Sequence, residues 1–354
     1  MAVLNDEQAM LRDMARGWAD NEAPVSAFRR LRDAGASEGY DAAAWAEIAG
    51  MGWAGIVIPE AFGGSAFGYL SLGLVLEQLG RNLAASPLAS TAVAATAIAE
   101  GESDAARTWL PKIASGELVA TLAIDERPTH DRVFAASVSD GRLTGTKAFV
   151  AEGDAAGLFV VAAGDGLYLV EGDAEGVARS SRRMVDSRSH AEVRFDRAPA
   201  ERLGDTSLVD RVCDLAAAAT TAEMLGLAGQ AFETTNAYLK QRVQFGHPLA
   251  TFQALQHRMA KMFTELELMR SAVEGALEAI DAGHSDVAEV ASLAKAIAGD
   301  TLHLVSREMI QLHGGIGMTD EHDAGFYLKR AQVLETMWGS AAWHRERFAR
   351  LNGY

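Results

Sequence analysis

The chain has 354 residues, 49% hydrophobic and 23% charged, with a formal net charge of −16. That is a globular profile too long for one simple core, so two or three domains are expected. The carboxylate excess argues against a nucleic-acid partner, which needs a basic surface, but allows a local basic pocket for one anionic cofactor. Cys213 is the only cysteine, so neither an intrachain disulfide nor a cysteine-rich metal site is expected.

The stretch Met1 to Glu7 lacks the basic start and apolar core of a signal peptide. No apolar run of membrane-spanning length stands out, and the expected location is a reducing cytoplasm. Residues 1–117 read as a helical domain. Asn5 with Gln8 resembles an N-terminal capping box, after which Met10, Leu11, Met14 and Trp18 line one helical face. Gly52 to Glu60 and then Gly63-Gly64 read as a turn, a short extended piece and a loop. Leu72, Val75, Leu76 and Leu79 form a second stripe, ended by Gly80.

From 118 to 205 the period changes to two. Asp140-Gly141 between Ala136-Ser137-Val138 and Leu143-Thr144-Gly145 predicts a two-residue hairpin, because both turn residues tolerate positive φ. Leu158 to Val161 and Leu167 to Val170 flank Gly164-Asp165-Gly166 and predict another. Glu192-Val193-Arg194-Phe195-Asp196 alternates as an edge or half-exposed strand. Several short antiparallel strands between helical regions predict a small barrel or sandwich.

Residues 206–354 are helical again. Leu255, Met259, Met262, Phe263 and Leu266 recur at helical spacing, as do Val290, Leu293, Ile297 and Leu304, with Gly283-His284-Ser285 as the break between them. Ala216 to Ala219 with Ala222 reads as a helix face packed closely on a neighbour. Four long helices with short connections predict a bundle. Glu321-His322-Asp323 has no ligand spacing suited to a metal, and Thr319 or Asp320 is expected to cap the helix that follows.

Two motifs carry the functional reading. The first is Arg242-Val243-Gln244-Phe245-Gly246, continuing through Pro248 to Phe252-Gln253. The second is Gln311-Leu312-His313-Gly314-Gly315. Paired glycines let a backbone approach a ligand with its amides exposed, and arginine grips two phosphate oxygens at once. These motifs, in this order, resemble the flavin-contacting signatures of the acyl-CoA dehydrogenase family. The resemblance implies an α+β protein, mainly α. It would have an N-terminal helical domain at 1–117, a small β-barrel domain at 118–205 and a C-terminal four-helix bundle at 206–354.

It further implies that Arg242 carries a charge to the FAD pyrophosphate, with Phe245 by the adenosine half and Gln253 hydrogen-bonded to the cofactor. Gln311, Gly314 and Gly315 would serve the flavin of a neighbouring subunit, so at least a dimer is implied. In the middle domain, Thr144 to Ala151 resembles a family strand that places Phe149 by the flavin ring, with Ala151 replacing a threonine. Ile124 and Asp125 would meet the flavin through their backbone, and Ser340 is a further cofactor-binding position.

Dehydrogenation of a thioester needs a base for the α-proton. Aligned from Gly314-Gly315, the family's usual glutamate position holds Trp338, followed by Gly339-Ser340. Counted back from Arg242, the second known position holds Ala216, beside Ala217. Glu335, Glu223 and Asp214 are the acids within reach. Glu335 is the first candidate, because a separation of three keeps the same helical face, near Lys329 or Arg330.

The absent base resembles the small subunits of heteromeric bacterial acyl-CoA dehydrogenases, in which a partner supplies the carboxylate. The implied activity is α,β-dehydrogenation of an acyl-CoA with FAD, with electron-transfer flavoprotein as the electron acceptor. A self-sufficient homotetramer using Glu335 and a flavin-free binding homologue are the alternatives.

Overall fold

The computed structural model describes residues 3–35, 38–101 and 104–354. Six helices come first: α1 (Asp6–Glu22), α2 (Val25–Ala34), α3 (Ala42–Gly50), α4 (Gly68–Arg81), α5 (Leu88–Glu100) and α6 (Ala105–Ala114). Eight strands follow: β1 (Ala120–Ala123), β2 (Ser137–Ser139), β3 (Arg142–Ala151), β4 (Leu158–Ala163), β5 (Gly166–Glu171), β6 (Val177–Arg183), β7 (Ser189–Pro199) and β8 (Glu201–Asp205). Then come α7 (Thr206–Gln241), a hairpin of β9 (Val243–Gln244) and β10 (His247–Pro248), α8 (Gln253–Asp281), α9 (Val287–His313), α10 (Ala324–Thr336) and α11 (Ala341–Leu351). The chain divides into two compact units. One comprises Met1–Phe28, Gly73–Ala84 and Ala217–Tyr354; the other Arg29–Leu72 and Ala85–Ala216.

In the second unit the strands form two four-stranded sheets, ordered β1-β4-β5-β8 and β2-β3-β7-β6. Both feed one core of Leu143, Val150, Phe159, Val161, Tyr168, Val193 and Phe195. Phe159 and Phe195 meet edge-to-face at 6.0 Å. The hairpins form as expected: Ser139 pairs with Arg142 across Asp140-Gly141, and Ala163 with Gly166. Asp140 and Gly141 both take positive φ. The segment 192–196 is not an edge, since β7 is hydrogen-bonded to β3 on one side and β6 on the other. Its alternation reports one buried face, which interior strands of an open sheet share with edges.

In the first unit the capping box at Asn5 and Gln8 is complete. The buried face of α1 is Leu11, Ala15 and Ala19, however, while Met10 and Met14 are exposed. α4 keeps its stripe, with Leu72, Val75, Leu76 and Leu79 all buried. Gly80 does not end α4, which runs to Arg81. A Cβ on Gly80 would collide with the Glu223 carbonyl, and one on Gly226 with that of Glu77. These two glycines let α4 and α7 cross at backbone distance.

The stretch from Trp53 to Phe62 holds two short tight helical turns and no strand. The fourth bundle member is two segments, α10 and α11, broken at Met337–Ser340. On α9 the buried positions are Ala291, Ala294, Ala298, Leu302, Val305 and Met309, while Leu293 is exposed. That helix packs against α8, α10 and α11, so its alanines are what neighbours cover. α7 is long and apolar enough to cross a membrane by length and composition, but 89% of its most apolar window is buried within the protein.

Gly226→Ala is expected to destabilise the protein by about 1–3 kcal/mol through overpacking. Gly275→Ala, on an open face of α8, should instead add roughly 0.5–1 kcal/mol. Urea unfolding of the two variants checks both signs.

Candidate functional site

Within the second unit, β1 leads into a loop that returns at β2. Lys147 of β3 is fully buried. Its ammonium donates to the Ile124 carbonyl at 3.0 Å and to Glu126 Oε1 at 2.8 Å, and lies 4.5 Å from the Phe134 ring centroid. Glu126 in turn accepts from the amides of Ala135 and Ala136 at 2.7 and 3.0 Å. One ion pair thus ties both ends of the loop. Burial pushes the Glu126 carboxyl up, but the Lys147 hydrogen bond and the two amides outweigh it and hold the group below its usual range. Burial also draws Lys147 down, against the pull of Glu126.

The middle of the loop turns through His130 and Arg132, each at φ 51. Arg132 reaches the first turns of α7, where it hydrogen-bonds Asp210 and lies 3.8 Å from Asp214. Cys213 is buried there, its thiol pushed up to about 12 by burial, and feels the charges of Arg132, Asp125, Asp214 and Asp210. His130 Nδ1 is 2.9 Å from Asp125 Oδ2.

The structure brings three sequence-predicted positions together here. Ile124 is buried with its carbonyl on Lys147, and the Asp125 carbonyl accepts from the Ala148 amide at 2.8 Å. Phe149 follows directly, at φ 55 inside the irregular stretch of β3 between Lys147 and Val150, with its side chain 42% exposed. The Arg182 guanidinium sits 5.2 Å from its ring centroid. Ala151 has no hydroxyl, and its carbonyl accepts from the buried Thr121 hydroxyl at 2.7 Å.

A second group gathers at one end of the bundle, within the first unit. α7 stops at Gln241, and Arg242 opens the β9–β10 hairpin, whose turn is Phe245 (φ 52) and Gly246 (φ 82). Phe245 is 88% exposed and meets Phe252 edge-on at 6.1 Å. Gln253 begins α8 with its side chain at the surface. Tyr238, one turn before Arg242, stacks on His313 at 4.3 Å and donates to its carbonyl at 3.2 Å. That contact sets the last turn of α7 beside the end of α9. Gly314 has φ 63 and ψ −139, and space beside both glycines is open. Neither Thr319 nor Asp320 caps α10; His322 Nδ1 accepts the Ala324 amide at 3.1 Å instead.

The third group is the α10–α11 corner. Lys295 of α9 is fully buried and donates to the carbonyls of Leu334 (3.0 Å), Glu335 (3.4 Å) and Gly339 (2.9 Å). Trp338 and Gly339 sit at φ 61 and 112, and His344 Nε2 meets the Trp338 carbonyl at 3.0 Å. Ser340 caps α11 by accepting the Trp343 amide at 3.3 Å.

The Glu335 side chain lies away from Lys329 and Arg330. It pairs with Arg307 and His303 of α9, both at 3.0 Å, while Arg330 grips Glu223 through two bonds of 2.8 and 2.9 Å. All three acids near the expected base positions are thus engaged with cations. Lys295 and His130 have no signature in the sequence, and Lys147 lies within the Thr144 to Ala151 motif without its partners being legible there. A buried lysine reads as an ordinary surface charge until its carbonyl partners, far away along the chain, are known.

Burial draws the Lys295 ammonium down to about 7, with Glu335 opposing. The unfolded chain, with lysine near its ordinary 10.5, therefore holds more protons than the folded one above neutrality. Stability from this group should rise as pH climbs through about 7 and level off near about 10.5. Urea midpoints across that window should show the slope, and Lys295→Met should remove it while lowering stability, since three carbonyls lose their donor.

Two family models match the chain: the acyl-CoA dehydrogenase N-terminal domain over residues 5–117 and the acyl-CoA dehydrogenase C-terminal domain over 209–351. Acyl-CoA dehydrogenase IpdE2 of Mycolicibacterium smegmatis is 30% identical, with 98% of each chain covered. FadE34 of Mycobacterium tuberculosis, also an acyl-CoA dehydrogenase, is 33% identical over 98% of this chain, which spans only 48% of that relative's length. Among solved structures, a "Tcur3481-Tcur3483 steroid ACAD" variant superposes with a TM-score of 0.92 at 32% identity, covering 98% of both chains. The ChsE4-ChsE5 complex from Mycobacterium tuberculosis gives 0.93 at 25% identity, covering all of both. The chain belongs to the acyl-CoA dehydrogenase family.

Proposed function

We propose that this chain is a FAD-dependent subunit for the α,β-dehydrogenation of an acyl-CoA thioester, which shares its flavin site with a homologous partner bearing the carboxylate base. The observation that carries this reading is the α10–α11 corner. The family's usual base position holds Trp338, in a left-handed turn fixed by Lys295, and Glu335 is held by His303 and Arg307. A carboxylate held by the Arg307 guanidinium and the His303 ring does not swing to a base position beyond the end of α10, in the turn at Trp338, without losing both. The second base position, Ala216, is a buried alanine.

The donor set suits a flavin dinucleotide. Arg242 is exposed and makes no ion pair among the described residues. Phe245 offers an uncovered aromatic face, and Gly314 and Gly315 leave their backbone open to a ligand. An anionic, aromatic ligand meets all of these demands at once. When bound, FAD would accept the β-hydride of the thioester. Arg242 would hold its pyrophosphate, Phe245 would pack by its adenosine half, Gln253 would hydrogen-bond the cofactor, and Gln311, Gly314 and Gly315 would serve the cofactor of the neighbouring subunit. Ile124, Asp125 and Phe149 would lie by the ring, with Ser340 as a further contact.

A heteromeric assembly is supported by the resemblance to the ChsE4-ChsE5 complex. The likeness to a steroid ACAD points to a bulky, steroid-derived acyl group. Electron-transfer flavoprotein would take the electrons onward, in the cytoplasm. A homotetramer relying on Glu335 is disfavoured by that residue's ion pairs.

Arg242→Ala should weaken FAD binding by roughly 1.5–3 kcal/mol, read as flavin retained after gel filtration. A correctly folded wild type that neither carries nor takes up flavin would contradict the cofactor reading. Without a carboxylate base, the chain alone should reduce its flavin about 10²–10⁴-fold more slowly than with its partner. Anaerobic bleaching by a panel of acyl-CoAs measures this, and rapid bleaching of the partner-free chain would overturn the shared-base reading.

A further inference from the structure

The carboxylate positions are filled by Trp338 and Ala216, yet the second unit contains a group built for proton transfer. His130 Nδ1 lies 2.9 Å from Asp125 Oδ2, with the two side chains 21% and 22% exposed. A carboxylate this close to Nδ1 favours the tautomer protonated there, which leaves the lone pair of the imidazole on Nε2. That nitrogen has no hydrogen-bond partner among the described residues.

The dyad is also held in place. Asp125 is fixed through its carbonyl to Ala148, the residue before Phe149. The loop is closed at its base by Lys147 and Glu126, and its far side is drawn to α7 by Arg132 on Asp210. Arg132, two residues after His130, also lies 3.8 Å from Asp214, which ties the loop to the α7 turn just before Ala216. The loop that carries the dyad is therefore tied on one side to the strand assigned to the flavin ring and on the other to the α7 turns just before Ala216.

We propose that His130, oriented by Asp125, is the group that removes and returns the α-proton of an acyl thioester bound at this chain's own site. The inference rests on the acyl-CoA reading above, and assigns to His130 the slow, carboxylate-independent reduction expected of the chain alone. In the step itself the α-C–H bond breaks and the proton passes to Nε2. The electron pair moves into the thioester carbonyl as an enolate, and Asp125 balances the imidazolium charge. The reverse step returns a proton to the α-carbon, so no oxidant is consumed. Asp125 acts here as a positioning residue, because among the described residues its carboxylate pairs with His130 alone.

The test uses tert-butylacetyl-CoA, which has α-hydrogens but no β-hydrogen, so no hydride can leave and exchange is read apart from flavin reduction. In heavy water, the purified full chain should incorporate deuterium at the α-carbon, followed by mass spectrometry. His130→Gln should slow this by about 10²–10⁴-fold, and Asp125→Asn should slow it less. His130→Gly should regain exchange on addition of free imidazole. The positive φ of position 130 suits glycine, so that variant keeps the loop, and rescue shows that the site is intact.

Unchanged exchange in His130→Gln would overturn the proposal, as would no exchange in the wild type. Loss of exchange in Glu335→Gln with His130→Gln unaffected would overturn it in favour of Glu335. Flavin content is measured on the same samples. A flavin-free wild type that still exchanges through His130 sinks the cofactor reading and leaves this one standing.

Discussion

The Lys295 side chain is fully buried, so the carbonyls at the end of α10 take the place of bulk solvent. A helix C-terminus offers unsatisfied carbonyls, and a lysine nitrogen donating to them satisfies several at once even though burial draws its pKa down to about 7. Leu334, Glu335 and Gly339 close around it, which forces the chain through left-handed Trp338 and Gly339 before α11 can begin. The side chains presented by that corner follow from this one electrostatic demand. The direction of Glu335 toward His303 and Arg307, about two and three turns further along α9, belongs to the same arrangement.

The second unit meets a comparable demand in the same way. Lys147 is buried, takes the Ile124 carbonyl and Glu126, and through Glu126 fixes two amides at the far end of the loop. Removing one partner of such a pair strands a buried charge, so the loop is far more rigid than its irregular backbone suggests. Rigidity matters because Asp125, His130 and Arg132 lie between these ties. A dyad meant to move a proton needs its atoms held to within fractions of an ångström. Here the holding is done by residues that never meet a substrate.

Much of the local architecture was legible in the chain. Capping at Asn5 and Gln8, the Asp140-Gly141 turn and the buried Leu72–Leu79 stripe depend on neighbours within one turn or one hairpin, where pattern and geometry coincide. Faces of helices were less legible. On α1, Met10 and Met14 stay exposed while Ala15 and Ala19 are covered, and on α9 the alanines are buried while Leu293 is not. Periodicity says which face is apolar, but the neighbour decides which face is covered, and close helix contact favours small side chains over large ones. The candidate site divides along the same line. Arg242, Phe245 and the glycine pair stand out because their chemistry is local to a motif. Lys147, Lys295 and the partners of Glu335 are set by contacts across dozens of residues.

The exposed apolar residues carry the remaining argument. Phe245 sits at the tip of a hairpin with φ 52 and 88% of its surface uncovered, and Met318, four residues past Gly314, is 78% exposed. A bulky side chain in a left-handed turn is unfavourable twice over: the backbone is strained and the ring is left in water. A fold does not keep such a residue for its own stability, because Asn or Gly would make the same turn at lower cost. Phe149 repeats the pattern on β3, with φ 55 in an irregular stretch of strand and a ring 42% exposed. Strained, exposed aromatics at two separate signatures are explained together if each ring is covered on assembly, by cofactor or by a second subunit. The strain is then offset by apolar area that the isolated chain does not bury.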